Sequence, residues 1–366
     1  MRKPVPFYQG LLTKLIVSLF LMLVGHIFLA GATADAQAVR AELTEDIRPE
    51  QRLITQLKPR RWLSSHFAGH PLVGTVWRGH GERSSWRDLS DGLRNARFVL
   101  LGEVHTNADH HLLQARVIEA LASLGRKPVV VWEMISQNHQ AVLDSPGLTT
   151  AESVRALNKE LNWANSGWPQ WSMYEPIALA AVAYGLPMRG AALDQQFVRG
   201  LPRAGKDGLS EEVINRLHLA EPLSDANNQS MLDALDKGHC GLVPKESLAP
   251  MQWVQRARDG AMADAMLRTS DRDDANKDNQ ESVLIAGNGH IRKDWGVPAV
   301  LSRAATVRSE DTAILSIAQI EVSEGELDPA DYVDIQTRGS LYDFVVFTPR
   351  SEIKDHCAEL RKRFKR

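Results

Sequence analysis

The chain has 366 residues, 43% of them hydrophobic and 24% charged, with a formal net charge of −2. That is length enough for one large domain or two medium ones with a real core, and the composition excludes disorder over most of the chain. The near-neutral charge gives no electrostatic reason to expect nucleic acid as a partner, and two cysteines exclude a disulfide-rich scaffold and a cysteine-only zinc site.

Residues 1–38 differ from the rest. Arg2, Lys3 and Lys14 precede an apolar run at 15–30, and the small-residue stretch GATADAQA follows. Charged start, apolar run and small-x-small cleavage site, in that order, predict an export signal peptide. The run is short for a spanning helix, which disfavours an uncleaved anchor. No cysteine directly follows it, so a lipoprotein is not expected. Cleavage would leave about 328 residues with a charge near −4, working in the periplasm or cell envelope.

The rest divides into a lead-in (39–69), an α/β domain (70–350) and a basic C-terminal tail (351–366). Unalternating apolar runs at 98–101, 129–132, 187–193, 283–286, 313–322 and 344–347 predict strands buried on both faces. Between them, 109–124 places Leu112, Ala115, Ile118 and Ala122 at helical spacing, and 177–184 predicts a helix with Pro176 in its first turn. Such alternation predicts an α/β fold, a mainly parallel sheet flanked by helices. The stretch from about 200 to 270 lacks a convincing strand. It reads as an α-helical insertion subdomain with helices at 211–219, 225–236 and 246–267. Residues 270–280 read as a polar surface loop, and RKRFKR at the C-terminus as a frayed tail. Cys240 and Cys357, preceded by His239 and His356, suit either one disulfide or a four-ligand metal site, the disulfide being favoured outside the cytosol.

Candidate chemistry gathers at strand ends. Glu103 and His105 lie two apart at the end of the first apolar run and should face the same way. In open α/β sheets that edge is the usual ligand crevice. His110 and His111 follow in the first turn of the next helix, with Thr106, Asn107 and Asp109 as N-cap candidates and Gln114 one turn below His110. A second Gly-x-x-His, Gly287 to His290, repeats the pattern of Gly102 to His105, each glycine allowing a sharp turn. On neighbouring strands the two would aim His105 and His290 at one crevice. Glu133 is a candidate third wall, Arg292 a basic lip, and Trp163, Trp168 and Trp171 an apolar lid or a structural cluster. No Gly-x-Ser-x-Gly elbow, P-loop or dinucleotide fingerprint is present.

The chain resembles the ChaN-like haem-binding uptake proteins, a branch of the Tiki and erythromycin-esterase-like superfamily. The carrying motifs are HPLVGTVW at 70–77, Leu101-Gly102-Glu103-Val104-His105 with His110, His111 and Gln114, and Tyr174-Glu175-Pro176. His239-Cys240-Gly241, Arg258-Asp259-Gly260-Ala261-Met262-Ala263 and Gly287-Asn288-Gly289-His290 with Gly296-Val297-Pro298 follow in the family's order. The resemblance implies an α/β fold with a helical subdomain and a place in haem or iron acquisition in the bacterial envelope. It also implies haem at a dimer interface with a tyrosine as iron ligand, here Tyr174 or Tyr184, since Tyr8 lies in the signal. The wider superfamily carries the paired motifs at a metal-dependent hydrolytic centre, which here would be Glu103, His105, Glu133 and His290. The absent lipobox cysteine is a departure from the family.

Two readings follow, haem or iron uptake or storage being favoured. In the first, an apolar crevice holds haem with His105, His110, His111, Tyr174 or Tyr184 as candidate ligands and Arg292 on the propionates. A homodimer and an outer-membrane uptake partner go with it. In the second, a hydrolase uses zinc or manganese held by Glu103, His105, Glu133 and His290, with Glu103, His105 and His290 catalytic. An envelope protein with a vestigial site is the remaining expectation.

Overall fold

Apolar runs without alternation need cover on both faces, and the computed structural model provides it. Residues 49–205, 208–268, 281–308, 313–332 and 340–364 are described. The signal, Tyr8 and the loop at 270–280 lie outside them. The chain divides into two units, Met1–Arg52 and Leu53–Arg366. Of the first, only the opening turn of helix α1 (Pro49–Leu57) is described.

The second unit contains one eight-stranded sheet. Its strands are β1 (Val76–Arg78), β2 (Arg83–Ser84), β3 (Phe98–Glu103), β4 (Val129–Ser136), β5 (Met188–Ala192), β6 (Ser282–Gly287), β7 (Ile314–Glu321) and β8 (Phe344–Thr348), in the order β2-β1-β8-β7-β3-β6-β4-β5. From β8 to β5 every pairing is parallel, and β1 and β2 add an antiparallel edge. All six predicted strands are found, and the two short edge strands were not expected. β3 and β6 are wholly buried, which explains their continuous apolar sequence.

The helices are α2 (Trp86–Asn95), α3 (Ala108–Ser123), α4 (Gln140–Leu143), α5 (Ala151–Glu160), α6 (Trp171–Ala183), α7 (Gln195–Ala204), α8 (Glu211–Arg216), α9 (Asp225–Gly238), α10 (Lys245–Leu267), α11 (Val297–Arg308) and α12 (His356–Phe364). One core lies between the sheet and α2, α3 and α6, a second between the opposite face and α10 and α11. A third, smaller cluster joins α7, α8 and α10. No helix among the described residues is long and apolar enough to cross a membrane.

Three expectations need correction. Pro176 is not in a first turn but inside α6, which starts at Trp171. Trp171 is buried against Trp163 and donates its indole N–H to the Val154 carbonyl at 3.1 Å, so tertiary packing extends the helix upstream. Residues 361–364 are not frayed but form the end of α12, which the Cys240–Cys357 disulfide ties to the segment after α9. Gly102 and Gly287 do not turn the chain, since both are paired strand residues. A Cβ on Gly102 would lie 2.1 Å from Asn288 Oδ1, so close packing requires that glycine.

Candidate functional site

The register of the parallel strands assembles the site. Glu103, the last residue of β3, lies opposite Gly287, the last of β6. Glu133 comes from β4, on the far side of β6. At this edge the described ionisable groups form a continuous row: Asp259, His290, Glu133, His105 and Glu103. His290 Nδ1 meets Asp259 Oδ1 at 2.5 Å, and its Nε2 lies 3.3 Å from Glu133 Oε1. His105 Nε2 lies 3.9 Å from Glu133 Oε2, and its Nδ1 is 2.7 Å from Glu103 Oε1. The row thus alternates acid and imidazole, so each buried charge has an opposite neighbour.

Both ends are anchored. Glu103 Oε1 also accepts from Tyr174 at 3.1 Å, and Oε2 accepts from Gln114 at 2.8 Å with His111 Nε2 at 3.3 Å. Burial works to raise the Glu103 carboxyl, but the neighbouring His111 and His105 outweigh it and hold it well below the usual range. Glu133 accepts from Arg258 Nη2 at 2.5 Å and from the Gly287 amide at 2.7 Å. Burial also opposes its ionisation, and His290, His105 and Arg258 hold it ionised. Burial lowers His290, while Glu133 and Asp259 push it up, to about 9. Desolvation lowers His105, but the Glu103 hydrogen bond and the Glu133 charge raise it above the ordinary value.

Only His105 in this row is substantially open, its side chain 30% exposed. Its ring lies 4.7 Å from that of Trp168. Trp168, Trp163, Glu133, Arg258, Arg199 and Leu193 line a crevice of about 660 Å³ beside it, within the size range of small-molecule sites. A Cβ on Gly287 would lie 3.0 Å from His105 Nε2, so the glycine keeps that nitrogen clear.

Several expected site residues serve otherwise. His110 is fully buried; its Nδ1 accepts from the Val104 amide and its Nε2 meets Thr348 Oγ1 at 2.8 Å. Burial, then His111, pushes it down to about 3, so it stays neutral. His111 is fully buried and stacked on Tyr174 at 4.0 Å. Tyr174 is fully buried too, and burial with the Glu103 charge raises its hydroxyl far above the ordinary value. All three are closed off from solvent, so none presents an atom to the crevice. Arg292 pairs with Asp294 and bonds Ser230, strapping α9 to the segment after β6 rather than forming a lip. Tyr184 is 45% exposed at the C-cap of α6. Ten residues of helix, about 15 Å, separate it from Tyr174.

Among the described residues no group of three or more histidine, cysteine, aspartate or glutamate side chains is disposed to hold a metal ion. Glu103 accepts from Tyr174 and Gln114 and shares a hydrogen bond with His105 Nδ1 that fixes the orientation of that ring. The His-Cys metal alternative is replaced by the disulfide. Sequence reasoning did not assign Asp259 or Arg258 to the site. They lie on α10, and only the family motif around Gly260 hinted at them. Gly260 itself packs where a Cβ would lie 1.9 Å from the Leu217 carbonyl oxygen.

A parallel α/β sheet with a histidine-and-carboxylate row at its C-terminal edge and a crevice walled by a helical subdomain defines the class. Residues 89–301 match the family described as "Haem-binding uptake, Tiki superfamily, ChaN", and the chain belongs to it. ChaN of Campylobacter jejuni, whose structure shows cofacial haem binding, is similar with a TM-score of 0.51 at 21% identity, over 74% of this chain and 95% of that one. The type III effector HopBA1 (TM-score 0.37, 11% identity, 72% and 92% covered) and an erythromycin esterase, EreC (0.32, 18%, 75% and 82%), are similar more distantly. These likenesses are of fold. A comparison with curated proteins finds no match.

Proposed function

We propose that this chain binds haem in the crevice at the C-terminal ends of β3, β6 and β4, with His105 as the side chain that would hold its iron. The observation that carries the reading is the state of His105: Nδ1 fixed by Glu103, Nε2 unbonded and kept clear by Gly287, beside a crevice with tryptophan walls. A carboxylate behind an imidazole fixes its tautomer and strengthens it as a ligand. Arg258 is tied to Glu133, which leaves Arg199, bonded only to the neutral Gln195 side chain, as the crevice cation for a propionate. Bound haem would supply an iron that takes one or two axial ligands. We propose further that the protein is exported to the envelope and serves haem or iron uptake or storage, as a homodimer and with an outer-membrane partner. The signal-like residues 1–38 and the disulfide support export.

Hemin titration of the mature chain tests the reading. A Soret shift lost in His105→Ala and kept in Tyr184→Phe is expected. Loss in Tyr184→Phe alone would overturn His105 as ligand and move the site to the exposed tyrosine. A second reading, a hydrolase with His105 as general base, is favoured by the Glu103–His105 hydrogen bond, which orients a base as well as a ligand. Ester turnover abolished by His105→Ala, without a Soret shift in the parent, would select it.

A further inference from the structure

Among the described residues four large hydrophobic side chains are exposed, and three of them gather around one residue, Arg350: Leu63 (54%), Leu327 (61%) and Ile353 (64%). The Arg350 amide donates to the His66 carbonyl at 3.0 Å, three residues from Leu63. Its Nη2 donates to Ser323 Oγ at 3.2 Å, four residues from Leu327. Ile353 follows it by three residues. Exposed apolar side chains scattered singly need no explanation, but several at one spot mark an interaction surface.

The fold holds these side chains in place. Leu63 and Ser64 give their amides to the carboxylate of buried Asp109 at 2.7 and 2.8 Å. The turn before Leu327 is pinned by Tyr332, whose hydroxyl donates to the Glu326 carbonyl and accepts from the Ser323 amide. Glu321 fixes Ser351 on the approach to Ile353. A backbone held in this way lowers the entropy cost of docking. Charge divides across the patch. Arg60 and Arg61 are exposed beside Leu63, and Glu324 and Glu326 are exposed on either side of the turn that leads to Leu327. None of these four has an ion-pair partner among the described residues.

We propose that this face joins two copies of the chain about a two-fold axis, the arginine end of each against the glutamate end of the other, with Leu63, Leu327 and Ile353 between. A two-fold interface presents the same patch on both sides, so a patch with opposite charges at its ends complements itself. This gives the homodimer proposed above a surface; it rests on that part of the reading and not on haem. The patch lies beyond the ends of β7 and β8, on one side of β3, while the crevice lies on the other side, at β4 and β5. Association through it therefore needs no haem.

Sedimentation velocity of the full mature chain without hemin tests it. The parent should dimerise, and Leu327→Asp or Leu63→Asp should weaken the dimer about tenfold or more, since each change counts twice across the axis. Reversing one end, by Arg60→Glu with Arg61→Glu or by Glu324→Lys with Glu326→Lys, should weaken self-association as strongly. The two reversed chains mixed in equal amounts should pair, because every glutamate of one then faces a cation of the other. Melting points should stay near the parent's, all the altered side chains being exposed. A parent that is monomeric at every concentration, a dimer indifferent to Leu327→Asp, or reversed chains that fail to pair on mixing would overturn the proposal. Hemin titration is read separately. Leu327→Asp should keep the Soret shift of the parent, and its loss would overturn the separation of the patch from the crevice. A parent that dimerises but shows no Soret shift would sink the haem reading alone.

Discussion

His290 makes the buried row visible in the stability of the whole unit. Burial lowers its pKa, but Glu133 and Asp259 prevail and raise it to about 9, against the ordinary imidazole value of 6.5. The gap corresponds to about 3 kcal/mol. Because the folded value is raised, this contribution is complete below pH 6.5 and lost as pH rises through about 9. Urea unfolding from about pH 6 to about pH 10 should therefore show stability falling by about 3 kcal/mol at constant m-value. His105, also raised, adds to the fall in the same direction. In His290→Asn most of the slope should vanish. Stability at about pH 6 should drop by roughly 3–5 kcal/mol, since Glu133 and Asp259 remain buried without their shared partner. A flat parent profile, or an equal slope in the variant, would refute the alternating-charge account of this edge.

Glu103→Gln should leave the fold intact but weaken hemin binding about 10- to 100-fold, the usual cost of losing the group that orients a ligating histidine; unchanged affinity would remove Glu103 from that role. Gly287→Ala places a Cβ 3.0 Å from His105 Nε2 and should cost hemin affinity with little change in circular dichroism. Reducing Cys240–Cys357 opens a closure spanning 117 residues, worth about 4–5 kcal/mol by chain entropy. The urea midpoint should fall accordingly, and an unmoved midpoint would mean that α12 is held by packing alone.

What was legible in the sequence was what a single element decides. The six parallel strands announced themselves because burial on both faces forces continuous apolar runs, as in 98–101 and 283–286. β1 and β2, three and two residues long at an exposed edge, leave no such run. Glu103, His105, Glu133 and His290 could be found because strand ends are marked by the runs before them. Whether a histidine faces the crevice or the core depends on packing between elements. His110 and His111 look like surface residues of a helix start, yet Thr348 of β8 and Tyr174 of α6 enclose them. Asp259 was hidden for the same reason: it lies 31 residues from His290 in sequence, and nothing on α10 alone marks the face that meets β6.

The enclosure of those groups determines how the site must respond to a ligand. Asp259, Glu133 and Glu103 are closed in by their partners, so an incoming molecule meets the row chiefly at His105 Nε2. Desolvation lowers His105, but the Glu103 hydrogen bond and the Glu133 charge outweigh it, so the ring holds its proton to higher pH than a free imidazole does. Iron and a proton compete for the same lone pair. Hemin binding at a pH near or below that raised value should therefore release a proton, and affinity should climb as pH rises. A titration in weak buffer with an indicator dye, repeated on His105→Ala, measures the release directly. Binding without proton release, at equal affinity on both sides of neutrality, would mean that iron is held by some group other than His105. The Glu103–His105 pair would then be left to the hydrolytic reading, in which the same nitrogen accepts a proton from water rather than giving one up.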